Sequence, residues 1–276
     1  MPNPYVRSLH VHPVKSLTGV APDEMTVEPW GLSGDRRWAV VDSEGAILTQ
    51  RQEARLALAC ARPLEGGRIA LSGPGMDGLV VEVPEPGPLE PVVLFGKKVE
   101  TVVASRAAAD WFSAYLGRGA RLVHLDDPAV RRPVDPDYAL PGETVSLADA
   151  YPLLLASAAS LDALNALIAQ GEHPAEGPLP MNRFRPNLVV GGEDLAAWAE
   201  DDWLRIAIGD AVFRGVRECG RCIVTTTDQR TAERGREPLK TLARHRRIGR
   251  SLAFGRQMVP ITLGTIRVGD EVRVLE

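Results

Sequence analysis

Short stretches of alternating apolar and polar residues fill the first half of the chain. They cover residues 6–12, 37–42, 68–72, 79–83 and 98–103, with Gly-, Pro- and Asp-rich turns between them. Side chains alternate across a strand, so a period of two marks a strand with one buried face. Their close spacing predicts an all-β barrel or sandwich. Over 105–116 the period becomes helical, with Ser105 placed to cap the start and Gly117 to stop it.

Residues 126–143 are rich in Pro, Asp and Arg, show no periodicity, and read as a link between two domains, 1–126 and 127–276. Beyond the link, 152–156 is a buried-strand candidate. Residues 160–169 carry Leu161, Leu164 and Ile168 at helical spacing. A Gly/Pro-rich loop (171–180) leads to a strand at 187–190. Two segments, 204–216 and 262–275, each read as a hairpin turning at Gly-Asp (Gly209-Asp210 and Gly269-Asp270). The second half is therefore expected to be a further β-barrel with a helix or two. The fold class is mainly β with a few helices, and no Rossmann or Walker pattern is present.

Composition narrows the function. The 276 residues are 45% hydrophobic, enough for a real core, and carry 32 basic against 36 acidic side chains. A net charge of −4 argues against a nucleic-acid partner. No apolar run approaches the roughly 20 residues that span a bilayer, so no membrane partner is expected. The start of the chain lacks the apolar core of a secretory signal, which points to a cytoplasmic location. Three cysteines, Cys60, Cys219 and Cys222, are too few for a disulfide framework and leave free thiols.

Cys219 and Cys222 form a C-x-x-C pair. Zinc would need two further ligands at a familiar spacing, which the five histidines do not supply. A thioredoxin-like pair would open a helix, whereas 223–227 is β-branched and reads as a strand. Two buried structural thiols, or one thiolate holding a soft metal, remain open. In N-R-F-R-P-N, the residues Arg183, Arg185 and Asn187 alternate, and an extended chain would put all three on one face. Pro186 rules out a helix interior and favours extension at Arg185. Two guanidinium groups and an amide on one face suit a phosphate or a pterin edge. Lys15 and Ser16 follow a strand directly, and Arg36 or Arg37 can reach the same anion. Together these segments call for an anionic, phosphate-bearing cofactor.

The chain resembles the two-domain MOSC proteins, named after the C-terminal domain of molybdenum cofactor sulfurase, of the type of the mitochondrial amidoxime-reducing component and its bacterial relatives. The resemblance rests on P-V-K-S (13–16), G-D-R (34–36), L-T-Q-R-Q-E (48–53), S-A-A-S-L-D-A-L-N (157–165), R-F-R-P-N (183–187), I-G-D (208–210), C-x-R-C-x-x-T-T-x-D (219–228), E-P-L-x-T-L (237–242), F-G (254–255) and the closing I-R-V-G-D. Their order spans nearly the whole length. The resemblance implies an N-terminal β-barrel domain, a C-terminal MOSC β-barrel, and a molybdenum–molybdopterin cofactor with Cys222 as its metal ligand and catalytic residue. It implies that Lys15, Ser16, Arg36, Arg185 and Asn187 hold the pterin and its phosphate, with Gly220 and Arg221 approaching through their backbone. Cys219 is left structural. The chain departs from the mitochondrial type at Ala150 and Tyr151, where small hydroxyl residues are expected.

The implied activity is reduction of N-hydroxylated or N-oxide compounds. Electrons would come from an external donor, a flavoprotein or an iron–sulfur protein, since no cysteines are left for a cluster. Arg51 or Asp228, from neighbouring motifs, are candidates for proton delivery. Two other classes are carried alongside: a sulfur or cofactor carrier using a Cys222 persulfide, and pyridoxal phosphate binding through Lys15.

Overall fold

The computed structural model describes residues 4–134 and 139–276. Eight strands build the sheet of the second half. Its path runs Tyr5–Leu9, Leu188–Gly191, Leu153–Ser157, Ser251–Thr262, Ala211–Gly220, Arg205–Ile208 and Val272–Val274, with Arg247–Ile248 paired onto the long Ser251–Thr262 strand. The two ends of this path meet. Tyr5 bridges Glu271, the Val6 N–H donates to Asp270 O (2.8 Å), and the Val272 N–H donates to Pro4 O (2.7 Å). The sheet thus closes on itself as a barrel, which leaves neither end strand with a bare edge. Inside it Val6, Leu9, Leu155, Leu188, Ile206, Phe213 and Met258 form one buried cluster.

Of the remaining first-half strands, Glu24–Glu28 and Gly31–Leu32 pair with Gly264–Arg267, and the others form two further sheets. One orders Trp38–Asp42, Ala120–His124, Lys97–Val103 and Leu89–Leu94; the other joins Cys60–Pro63, Ile69–Gly73 and Met76–Val81. Their shared core holds Trp38, Val40, Leu71, Trp111 and Phe112. The helix Arg106–Leu116 packs its Trp111, Phe112 and Tyr115 face onto that core. It starts and stops as expected: the Ser105 side chain accepts from the Ala108 N–H, and Gly117 takes φ 69°. The second helix, Ala158–Ala169, begins earlier than residue 160 because Ser157 serves as its cap, accepting from the Ser160 N–H.

Four expectations need correction. The strand from residue 6 ends at Leu9, since the His10 N–H turns to Asn187 O (2.9 Å). The expected hairpin at 262–275 keeps its turn and loses its pairing: Gly264–Arg267 pairs with Glu24–Glu28, while Val272–Val274 pairs with Arg205–Ile208. Ile266 and Val272 thereby both enter the barrel core with Val27. Residues 223–227 are not a strand, because Ile223–Thr226 is a 3-10 turn. Thr225 Oγ1 and Thr226 Oγ1 donate back to the carbonyls of Cys222 (2.9 Å) and Ile223 (2.8 Å), and these local bonds outweigh β propensity. Lastly, the link at 126–143 contains a helical turn, Pro128–Arg131, capped by Asp127; residues 135–138 of it lie outside the described residues. No helix among the described residues is long and apolar enough to cross a membrane.

Candidate functional site

A cavity of about 340 Å³ opens where the barrel meets the first-half sheets. It is lined by all eight residues expected at the site: Lys15, Ser16, Arg36, Arg185, Asn187, Gly220, Arg221 and Cys222. They arrive on four separate segments. The strand Ala211–Gly220 carries Cys219 and Gly220 to the rim, and the chain then turns so that Cys222 precedes the 3-10 turn. Cys222 is half-buried and free.

Arg183 does not share this face. Its Nη1 donates to Thr226 O (3.0 Å) and its Nη2 to Asp228 (2.8 Å), so it braces the turn after Cys222 from behind. The one-face arrangement of Arg183, Arg185 and Asn187 fails because the chain is not extended there. Met181–Arg183 is a 3-10 turn, and Arg185 sits at φ 53°, not in the extended region that Pro186 favours. That backbone aims the Arg185 carbonyl at Arg36, whose Nη2 donates to it (3.0 Å). Ser16 (φ 69°) and Arg36 (φ 46°) are left-handed too. Such strained residues collect where function over-determines the backbone.

Arg36 is fixed by three bonds. Beside the Arg185 carbonyl, its Nη1 donates to Asp35 and to Asn187 Oδ1 (2.9 Å). Arg37 points elsewhere, to Leu125 O (2.7 Å). The Asn187 amide is spent within the protein: Oδ1 also accepts from the Leu154 N–H (3.2 Å), and Nδ2 donates to His10 O (3.2 Å). Arg221 likewise gives its backbone N–H to Leu252 O (2.8 Å). Its guanidinium donates to Phe184 O (2.6 Å) and to Cys219 Sγ (2.8 Å). Gln257 Nε2 donates to the same sulfur (3.1 Å). Burial pushes the Cys219 thiol up, against the pull of Arg221.

Asp149 was absent from the expected set. Lys15 Nζ donates to it and to Leu147 O (2.8 Å), and Arg51 Nη2 donates to its other oxygen (2.8 Å). The surrounding protein atoms alone would raise this carboxyl, although its side chain is half exposed to the open cavity; Lys15 and Arg51 overcome that and hold it below the usual carboxylate range. Arg51 lines the cavity, placed there by Gln50, whose Nε2 donates to Ser16 O (2.7 Å). Asp228 does not line it. Six cations (Lys15, Arg36, Arg51, Arg185, Arg217, Arg221) thus face two carboxylates, Asp149 and Glu218. Arg185 Nη2 is buried without a partner, and burial followed by Arg36 presses that guanidinium's pKa down. The cavity is arranged to take an anion.

Lys15 makes that capacity depend on pH. Burial lowers its ammonium from 10.5 to about 8, against the pull of Asp149. The cation is present below that value and lost above it. Guanidinium groups keep their protons throughout. Calorimetric titration of the cofactor-free protein with pyrophosphate should therefore show affinity falling between roughly pH 7 and pH 9. Lys15→Met should remove the step, and a step that survives the substitution would assign it elsewhere.

Comparison with known proteins agrees with this architecture. A MOSC N-terminal beta barrel domain matches residues 3–119 and a MOSC domain matches residues 142–273. The human mitochondrial amidoxime-reducing component 1 is 34% identical over 288 residues, covering 98% of this chain and 82% of its own. The rat mitochondrial amidoxime reducing component 2 is 33% identical, with 97% and 82% covered. Among solved structures, the YUAD protein of Bacillus subtilis aligns over 98% of this chain and 94% of its own, at a TM-score of 0.41 and 12% identity. With two MOSC-type domains and such identity over nearly its full length, the chain belongs to the MOSC-domain family of the amidoxime-reducing components.

Proposed function

We propose that this protein is a molybdenum-cofactor-dependent reductase of N-hydroxylated or N-oxide compounds, with Cys222 as the single protein ligand to the metal. The observation that carries the reading is one half-buried thiol set in a cavity of six cations, two of them, Arg185 and Arg221, with an unpartnered buried nitrogen. The donor set fits the group. No cluster of three or more His, Cys, Asp or Glu side chains exists among the described residues to hold a bare ion. A metal that arrives chelated by its own organic ligand needs only one sulfur from the protein, and a phosphate on that ligand needs the cations. The relatives' name supplies the substrate class.

Within this reading Cys222 anchors the metal. Lys15, Arg36 and Arg185 hold the phosphate-bearing pterin, with Ser16 and Gly220 beside them. Asn187 acts one step back by fixing Arg36. The Arg221 guanidinium ties the first cysteine of the pair to the Phe184 carbonyl, which keeps the loop before Cys222 in place. The bound group supplies the two-electron removal of oxygen, with electrons from an external flavoprotein or iron–sulfur protein. Arg51, held by Asp149, sets a guanidinium N–H beside the Cys222 sulfur.

Protein purified from a host that makes the pterin should contain a single molybdenum per chain and release oxidised pterin on denaturation. Elemental analysis and fluorescence of the released pterin measure both. A persulfide on Cys222 with neither metal nor pterin would replace this reading with the carrier.

A further inference from the structure

The tip of one hairpin has no structural reason to carry the residue it carries. Leu89–Leu94 and Lys97–Val103 pair antiparallel and turn at Phe95 and Gly96. Both turn residues are left-handed, with φ 50° and 77°, as a two-residue type I′ turn requires. Asn, Asp and Gly suit such a turn; a bulky aromatic is a genuine outlier there. Phe95 is also 56% exposed and belongs to none of the buried clusters. Neither local backbone preference nor core packing accounts for it.

Its ring contacts account for it differently. The ring centroid lies 5.0 Å from Arg51 Cζ and 5.7 Å from Lys15 Nζ, both within cation–π range. These two cations line the cavity, and both are bonded to Asp149. The hairpin is pinned over them: the Ile47 N–H donates to Val93 O (3.1 Å) and the Val93 N–H to Gly45 O (2.9 Å), just before the segment that carries Arg51. Of the six described non-glycine residues with positive φ, Ser16, Arg36 and Arg185 line the cavity, and Phe95 is stacked on two cations that line it. Strain at this tip therefore belongs with the strain of the site. One part of the ring meets the cations, and the rest is left to solvent.

We propose that Phe95 is a substrate-docking residue, which receives the flat aromatic part of an N-hydroxylated substrate at the cavity mouth and so favours aryl over alkyl amidoximes. The proposal rests on the reductase reading for its substrate class. Ring and thiol both meet one guanidinium, that of Arg51. A substrate one aromatic ring long, carrying its N–OH group next to that ring, reaches from Phe95 toward Cys222. An alkyl substrate reaches the thiol without touching the ring.

The test uses two amidoximes, benzamidoxime and acetamidoxime, on the full chain and on Phe95→Asn and Phe95→Trp. Asn suits the turn, so that variant keeps the hairpin while removing the ring. Dissociation constants are measured by calorimetry, and turnover of both compounds is followed separately on cofactor-loaded protein. Benzamidoxime should bind more tightly than acetamidoxime to the natural chain. Phe95→Asn should lower that preference by about two- to tenfold, the range of a lost aromatic stack, and Phe95→Trp should keep it. An unchanged preference in Phe95→Asn, or the same loss in Phe95→Trp, overturns the proposal. If the binding preference follows the ring while neither compound is reduced, the reductase reading fails and the docking role stands.

Discussion

Replacing Cys222 by alanine should abolish reduction of an amidoxime while leaving the protein folded. Outer groups around a metal typically cost roughly 10–100-fold when removed, so loss of the single protein ligand should exceed about a hundredfold. The side chain is half-buried at the cavity wall and belongs to no core cluster. Thermal stability of the cofactor-free variant should accordingly stay within about 1 kcal/mol of the natural chain. Cys222→Ser keeps the size of the side chain and loses the soft sulfur, so it should be equally inactive. Turnover, molybdenum content and circular dichroism decide the matter together. Undiminished turnover in either variant would remove Cys222 from the mechanism.

The second large effect is expected at Asn187, where it should appear in stability before it appears in activity. Its amide joins three parts of the chain: His10 after the first strand, Leu154 within the barrel wall, and Arg36 from the first half. Asn187→Leu keeps the volume and strands the Leu154 N–H and the His10 carbonyl. Each buried orphan costs about 1–3 kcal/mol, so the substitution should cost roughly 3 kcal/mol. For a chain of this size that lowers the melting temperature by roughly 6–12 °C. The measurement needs no cofactor. A melting temperature within about 2 °C of the natural chain would show that the amide is not the junction its bonds describe.

Asn187 also shows where sequence reasoning stopped. Its presence at the site was legible from R-F-R-P-N, and its role was not, since nothing local in the sequence says that His10 and Leu154 lie within its reach. Cys222, Lys15, Ser16 and Arg36 were legible through motif order, and all line one cavity. Asp149 was not. It stands in an unremarkable run, and its importance comes from Lys15, 134 residues earlier in the chain. Arg183 was misplaced because an alternating pattern implies one face only if the backbone is extended, and two consecutive turns intervene. The β-branched run after Cys222 misled for a related reason: threonine favours strands by propensity and tight turns by its hydroxyl, and here the hydroxyls prevailed.

Helices were the easiest elements, because cap, period and stop lie within a dozen residues of one another. Barrel closure was the hardest. Pairing of Tyr5–Leu9 with Leu188–Gly191 leaves no local trace, since strand partners are chosen by the shared core and not by neighbouring sequence.

That closure governs how the molecule can be made. The seam of the barrel joins Pro4 and Val6 to residues 269–272, nearly the two extremes of the chain. During synthesis the first strand emerges early and must wait for the last before the wall can seal. A barrel whose staves are separated by the full length of the chain has a high contact order and folds slowly, with its strand edges exposed in the interval. The cation-lined cavity, shared by segments from both halves, is complete only once those distant segments have met, and under the proposed function the cofactor would enter after that point.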